Sequence, residues 1–175
     1  MSDKKVKTKI PDRGIKATTK DLKIIKEIAS KLLKLLGAKK AKIKLSQKKD
    51  GIVRLNINSP DSDILIGEWG ETIFSLQLIL SLMIYKKLGR WQRILVNING
   101  YLEQRAESLK SMAIDAAQRV EFSGKEERMP YLNSAERRVI HLVLADNPDV
   151  VTESVGEGRE RKLVIKPREK KLSKQ

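Results

Sequence analysis

Apolar side chains at Leu22, Ile25, Ala29, Leu32 and Leu36 recur every third or fourth residue, with Lys23, Lys31 and Lys34 on the opposite side. That period predicts an amphipathic helix over 18–36. Thr18 and Asp21 stand at capping-box spacing, and Gly37 is a natural stop. The period then drops to two. Ala41, Ile43 and Leu45 alternate with Lys42 and Lys44, and beyond Asp50-Gly51, Val53, Leu55 and Ile57 alternate with Arg54, Asn56 and Asn58. Two half-buried strands joined as a hairpin account for this pattern. A short apolar turn, Ile64-Leu65-Ile66, leads to Gly67-Glu68-Trp69-Gly70 and a helix over 71–88. Ile94, Val96 and Ile98 mark a third strand.

The helix over 71–88 carries two apolar stripes. Ile73, Leu76, Leu80 and Met83 are expected to face the sheet, whereas Phe74, Leu78, Leu82 and Tyr85 form a second face. Either helix 18–36 covers that second face within the monomer, or another chain does. A second segment begins with a helix from Tyr101 to Phe122, with Ala106, Leu109, Ala113, Ala116 and Val120 as its buried stripe. Ser123-Gly124 breaks it, and Asn133 or Ser134 caps a helix reaching Ala145. Residues 150–155 and 163–165 then read as two strands joined through Gly156-Glu157-Gly158.

Composition narrows the function classes. The 175 residues include 37 Lys plus Arg, 22 Asp plus Glu, one His and no Cys, for a net charge of +15. Disulfide scaffolds, thiolate nucleophiles and zinc ribbons are excluded, and a lone His141 excludes a His-His metal site. The charge favours polyanionic partners, nucleic acid or an anionic membrane surface. It is unevenly placed: residues 51–158 hold 12 basic against 15 acidic side chains, so the excess belongs to residues 1–50 and to the carboxyl end. Such flanks attract a polyanion without selecting one. The greasiest run, Ile73 to Tyr85, is too short to span a bilayer, and no signal-peptide pattern opens the chain. A cytoplasmic protein without stable membrane insertion is the expectation.

Two motifs carry candidate chemistry. In Gly67-Glu68-Trp69-Gly70, glycines three apart let the backbone approach a ligand, and the following helix offers its amino-terminal N–H groups to phosphate. The alternative is a steric turn between helices. Trp69 can stack on a base or serve as a lid on the sheet, and Glu68 sets a carboxylate beside any phosphate path there. The second motif is Arg137-Arg138-Val139-Ile140-His141. Arg137 and His141 lie one helical turn apart on one face, so both can reach one anion, although such a pair is also common on a solvated face. Thr152-Glu153-Ser154-Val155-Gly156-Glu157 and Arg161 follow.

The order of elements around the Gly-x-x-Gly loop resembles the bacterial type II KH arrangement, whose loop clamps a nucleic-acid backbone. The stretch from Met129-Pro130 through Asn133-Ser134-Ala135-Glu136-Arg137-Arg138 to Ile165 resembles the R-three-H domain, named for its Arg-x-x-x-His pair. In succession the two resemble the bacterial Jag family (SpoIIIJ-associated protein) over residues 20–167. The resemblance implies an α+β chain: a type II KH-like domain with a three-stranded sheet and three helices, then a small α+β R-three-H domain. The corresponding boundaries are a flexible basic arm at 1–17, the KH-like domain at 18–100, the R-three-H domain at 101–166 and a basic tail at 167–175. A Lys-rich arm stands where longer members carry a Jag-N domain, so that domain is expected to be missing.

The implied function is non-catalytic binding of single-stranded RNA, or of single-stranded DNA, by a bacterial post-transcriptional regulator linked to cell elongation and division. The implied nucleic-acid-binding residues are Gly67, Glu68, Trp69, Gly70, Arg137, His141, Gly156 and Arg161, with no cofactor and no metal. A small single-KH-domain protein or a second copy is the implied protein partner. A connection with a neighbouring membrane insertase is implied more weakly. The alternative is an assembly module for which RNA binding is secondary.

Two other readings are weaker. Asp61 and Asp63 form an Asp-x-Asp pair that can hold Mg²⁺ for a nuclease, yet they precede a helix, where Asp is an expected cap. The basic helix 18–36 suits a membrane surface, but it has no Trp or Phe, and two strands beside it need covering.

Overall fold

The computed structural model describes residues 16–47 and 50–168. Most of the expected basic arm and tail, 1–15 and 169–175, lies outside the described residues. The chain is α+β and divides into two compact units that part between Tyr101 and Leu102.

In the first unit, helix α1 (Thr19–Leu35) starts from a complete capping box. The Thr18 hydroxyl accepts from the Asp21 N–H, and the Asp21 carboxylate accepts from the Thr18 N–H at 2.8 Å. The same carboxylate takes an Arg90 guanidinium at 2.6 Å, tying the start of α1 to the loop after the third helix. Strands β1 (Lys42–Gln47) and β2 (Val53–Asn58) form the expected antiparallel pair. Helices α2 (Ser62–Ile66) and α3 (Glu71–Leu88) follow, and β3 (Ile94–Ile98) pairs parallel to β2. The sheet order is therefore β1-β2-β3. On the other side of β3, the Val96 N–H donates to Gln77 Oε1 of α3 at 2.9 Å, which satisfies a donor that no further strand among the described residues takes up.

Val53, Leu55, Ile57, Val96 and Ile98 form one face of this sheet, and Ile25, Ala29, Leu33, Ile73, Leu76, Leu80 and Ile84 of the helices complete its core. Two expectations are corrected. On α1, Leu33 is core and Leu36 is half exposed. On α3, Ile84 takes the core position expected of Met83, which is 37% exposed. Helix α1 also fails to cover the second stripe of α3: Leu78 is 58% and Leu82 53% exposed, with Phe74 and Tyr85 beside them. The α1 residues that reach the core, Ile25, Ala29 and Leu33, are one stripe of a two-faced helix and can seal only one side of α3.

Helix α4 (Tyr101–Ser123), which belongs to the second unit from Leu102 onward, buries Leu109, Ala113, Ala116, Ala117 and Val120. The two-residue strand β4 (Glu127–Arg128), α5 (Ser134–Val143), β5 (Val150–Val155) and β6 (Lys162–Pro167) follow. The antiparallel sheet has the order β4-β6-β5, and its core joins Leu163 and Ile165 to the apolar stripes of α4 and α5. Beyond β6, Arg168 stays docked: its N–H donates to the Asp149 carbonyl at 2.7 Å.

Candidate functional site

Helix α5 is held at its start by two interlocked devices. The Asn133 side chain accepts from the Ala135 and Glu136 N–H groups, and Glu136 Oε2 accepts from the Asn133 N–H at 2.9 Å. The other oxygen of Glu136 takes Arg105 Nε–H of α4 at 2.7 Å. Glu136 is 6% exposed, so this is a buried carboxylate that both caps α5 and pins it to α4. Removing one partner of such a buried pair typically costs about 3–5 kcal/mol.

The helix so anchored carries Arg137 and His141 one turn apart. Arg137 Nη1 donates to the Leu132 carbonyl at 2.7 Å, which fixes the guanidinium beside the amino end of α5. That bond engages one of five N–H donors in the planar fork. His141 is half-buried against β5: Nδ1 lies 2.5 Å from Thr152 Oγ1 and Nε2 lies 3.3 Å from Ser154 Oγ. Burial pushes its pKa below the ordinary histidine value, and the positive charges of Arg137 and Arg161 lower it further. The imidazole therefore enters neutral at pH 7, beside two guanidinium groups. Among the described residues neither Arg137 nor Arg161 has a carboxylate within ion-pair distance.

Arg161 reaches this cluster from the loop between β5 and β6. Gly156 makes the loop tight. Its φ is +89°, and a Cβ there would stand 2.9 Å from the Glu160 carbonyl oxygen. Three of the sequence-predicted residues, Arg137, His141 and Arg161, thus converge electrostatically, and Gly156 shapes the loop that delivers the third. The sequence reading missed Thr152 and Ser154 as partners of the imidazole, although their i, i+2 spacing puts them on one face of β5.

The other candidate motif belongs to the first unit. Residues 68–70 form a single 3₁₀ turn between α2 and α3. Gly67 has φ 72° and ψ 177°, a region open only to glycine, and a Cβ there would overlap Thr72. A Cβ on Gly70 would lie 2.6 Å from the Tyr101 hydroxyl. Both glycines therefore have a steric reason to be present. Trp69 sits at φ 52°, ψ 20° with 48% of its surface exposed. A left-handed aromatic residue costs about 1–2 kcal/mol of backbone strain. Asp61 precedes α2 but makes no side-chain cap hydrogen bond, contrary to expectation. Among the described residues no three His, Asp or Glu side chains gather as a metal site, and no helix is long and apolar enough to cross a membrane.

Residues 107–167 match the family model of the R-three-H domain. The matched segment contains Arg137, His141, Thr152, Gly156 and Arg161. Over 113 residues, the chain is 34% identical to "RNA-binding protein KhpB" of Clostridium symbiosum, covering 65% of this chain and 51% of that protein. It therefore spans about half the length of that relative. The protein of the same name from Bacillus subtilis (strain 168) is 26% identical over 193 residues, 93% of each chain. That from Lactiplantibacillus plantarum is 32% identical over 111 residues, 63% of this chain and 34% of that protein.

Proposed function

We propose that this chain is a non-catalytic single-stranded RNA-binding protein, with the α5–β5 surface as its grip on the backbone. The observation that carries the reading is the half-buried His141 imidazole, set against Thr152 and Ser154 of β5, with Arg137 one helical turn away on α5 and the charge of Arg161 acting on the ring. Two guanidinium groups beside a neutral imidazole present many donors and, among the described residues, no ion-paired counter-charge, an arrangement that a phosphate oxygen completes. The match of this segment to the R-three-H domain and the likeness to proteins named as RNA-binding support it. The first unit then acts as a KH-like module in which Gly67 and Gly70 shape the loop and Trp69 offers a stacking face. Its left-handed backbone and half-exposed side chain present an aromatic face of the kind base stacking uses. The basic flanks supply salt-sensitive attraction.

The test is filter binding of single-stranded RNA across a salt series. Folded Arg137→Ala/His141→Ala should bind at least about tenfold more weakly, since charge-assisted bonds contribute roughly 1.5–3 kcal/mol each. Unchanged affinity removes the mechanism.

A second reading concerns assembly. The uncovered α3 stripe, with Leu78, Leu82 and the tilted Tyr85–Trp91 ring pair at 6.0 Å, is a surface for a second copy or a small single-KH-domain partner. A bacterial regulator acting in the cytoplasm on cell elongation and division is the cellular role consistent with both readings.

A further inference from the structure

The sheet of the first unit has a second face, turned away from its apolar core, and its composition is unusual. Lys42 and Lys44 of β1, Asn56 and Asn58 of β2, and Asn97 of β3 alternate with the core residues and so share that face. The strand register pairs Lys42 with Asn58, Lys44 with Asn56, and Asn56 with Asn97, giving adjoining rows of cations and carboxamides. With Asn99 and Gly100 these residues line a groove of about 540 Å³. Among the described residues, no Asp or Glu lines it. Asn99 builds one wall: it has φ 47°, its Oδ1 accepts from the Ser59 N–H at 3.0 Å, and its Nδ2 donates to the Ser59 carbonyl at 2.9 Å.

Lysines on an edge strand are commonplace, because they keep other strands from pairing there. Asn56 and Asn58 have no such explanation. Asn is depleted in strands, and β2 is the central strand, where a β-branched residue would hold the sheet better. Asn56 and Asn58 are exposed, so packing does not demand them either. What carboxamides beside ammonium groups offer is recognition: a donor and an acceptor for the edge of a base, next to a cation for the phosphate.

We propose that this groove is a second binding surface for single-stranded RNA, with Lys42 and Lys44 on phosphates and Asn56 and Asn58 on base edges. The proposal rests on the RNA-binding reading above. It adds a surface that includes none of the Gly67–Gly70 loop and none of the Arg137 cluster.

The experiment is fluorescence anisotropy of a labelled single-stranded oligoribonucleotide titrated with the full chain over a salt series, alongside thermal melting. Asn56→Thr/Asn58→Thr swaps in residues favoured in strands, so Tm should hold or rise while affinity falls about fivefold. Lys42→Gln/Lys44→Gln should lower the slope of log affinity against log salt by about 1.4, near 0.7 per phosphate contact. Wild-type binding with both variants unchanged overturns the groove and leaves the Arg137 reading standing. Absence of binding by the wild type overturns both.

Discussion

His141 Nδ1 and Thr152 Oγ1 lie 2.5 Å apart, joining α5 to β5 at an imidazole on which the charges of Arg137 and Arg161 act. Because folding depresses the His141 pKa, the unfolded chain takes up a proton more readily than the folded one. The stability associated with the neutral imidazole is therefore complete above about pH 6.5 and is lost as pH falls below that value. RNA binding should respond in the opposite sense, since a phosphate beside His141 favours its charged form. Tm should drop and RNA affinity rise as the solution is taken from neutral to mildly acidic, through the ordinary histidine range. Both trends should diminish in His141→Gln, which melting and anisotropy over pH will check.

The two arginines should be measurable through the same imidazole. Their charges help hold its pKa down, so Arg137→Ala or Arg161→Ala should raise it. An NMR titration of the ring protons, with a single histidine in the chain, reads this without ambiguity. An unmoved pKa in both variants contradicts the cluster.

Glu136 predicts a graded stability series. Glu136→Ala removes both the cap on Asn133 and the partner of Arg105, and should cost about 3–5 kcal/mol in urea unfolding. Glu136→Gln keeps an acceptor for the Asn133 N–H and should lose less.

At the Gly67–Gly70 turn, stability and binding should separate. Gly67→Ala must displace Thr72 and adopt a forbidden backbone, so a loss above about 1 kcal/mol is expected. Trp69→Gly relieves a left-handed aromatic residue worth about 1–2 kcal/mol of backbone strain, a gain set against the contacts the indole makes. If Trp69 stacks on a base, that same variant should lose about 1–3 kcal/mol of RNA binding energy.

Sedimentation decides the α3 stripe. Leu78 and Leu82 are exposed within the unit, so Leu78→Glu/Leu82→Glu should remain folded. A wild-type dimer converted to a folded monomer supports assembly, whereas a wild type already monomeric at high concentration removes the second-copy version.

The parts legible in sequence were those with a long period or a capping signature. Thr18 with Asp21 and Asn133 with Glu136 both form full capping boxes, and the alternation of 42–47 and 53–58 sets the hairpin register. Strand β4 was not legible. It has two polar residues, Glu127 and Arg128, and exists only because β6 pairs with it. The exchange of Met83 for Ile84 is a rotation of one position, which an all-apolar stretch cannot resolve. Within the candidate site, Arg137 and His141 were readable from helical spacing. The Arg105–Glu136 tie spans 31 residues, and the approach of Arg161 depends on a loop folding back, so neither has a local signature.

The central claim is that RNA seats on the α5–β5 surface. Backbone amide shifts of the labelled full chain, followed by NMR as single-stranded RNA is added, test it most directly. Saturable shifts are expected at Arg137, His141, Thr152, Gly156 and Arg161. Saturable RNA binding that leaves those five resonances unmoved would contradict it.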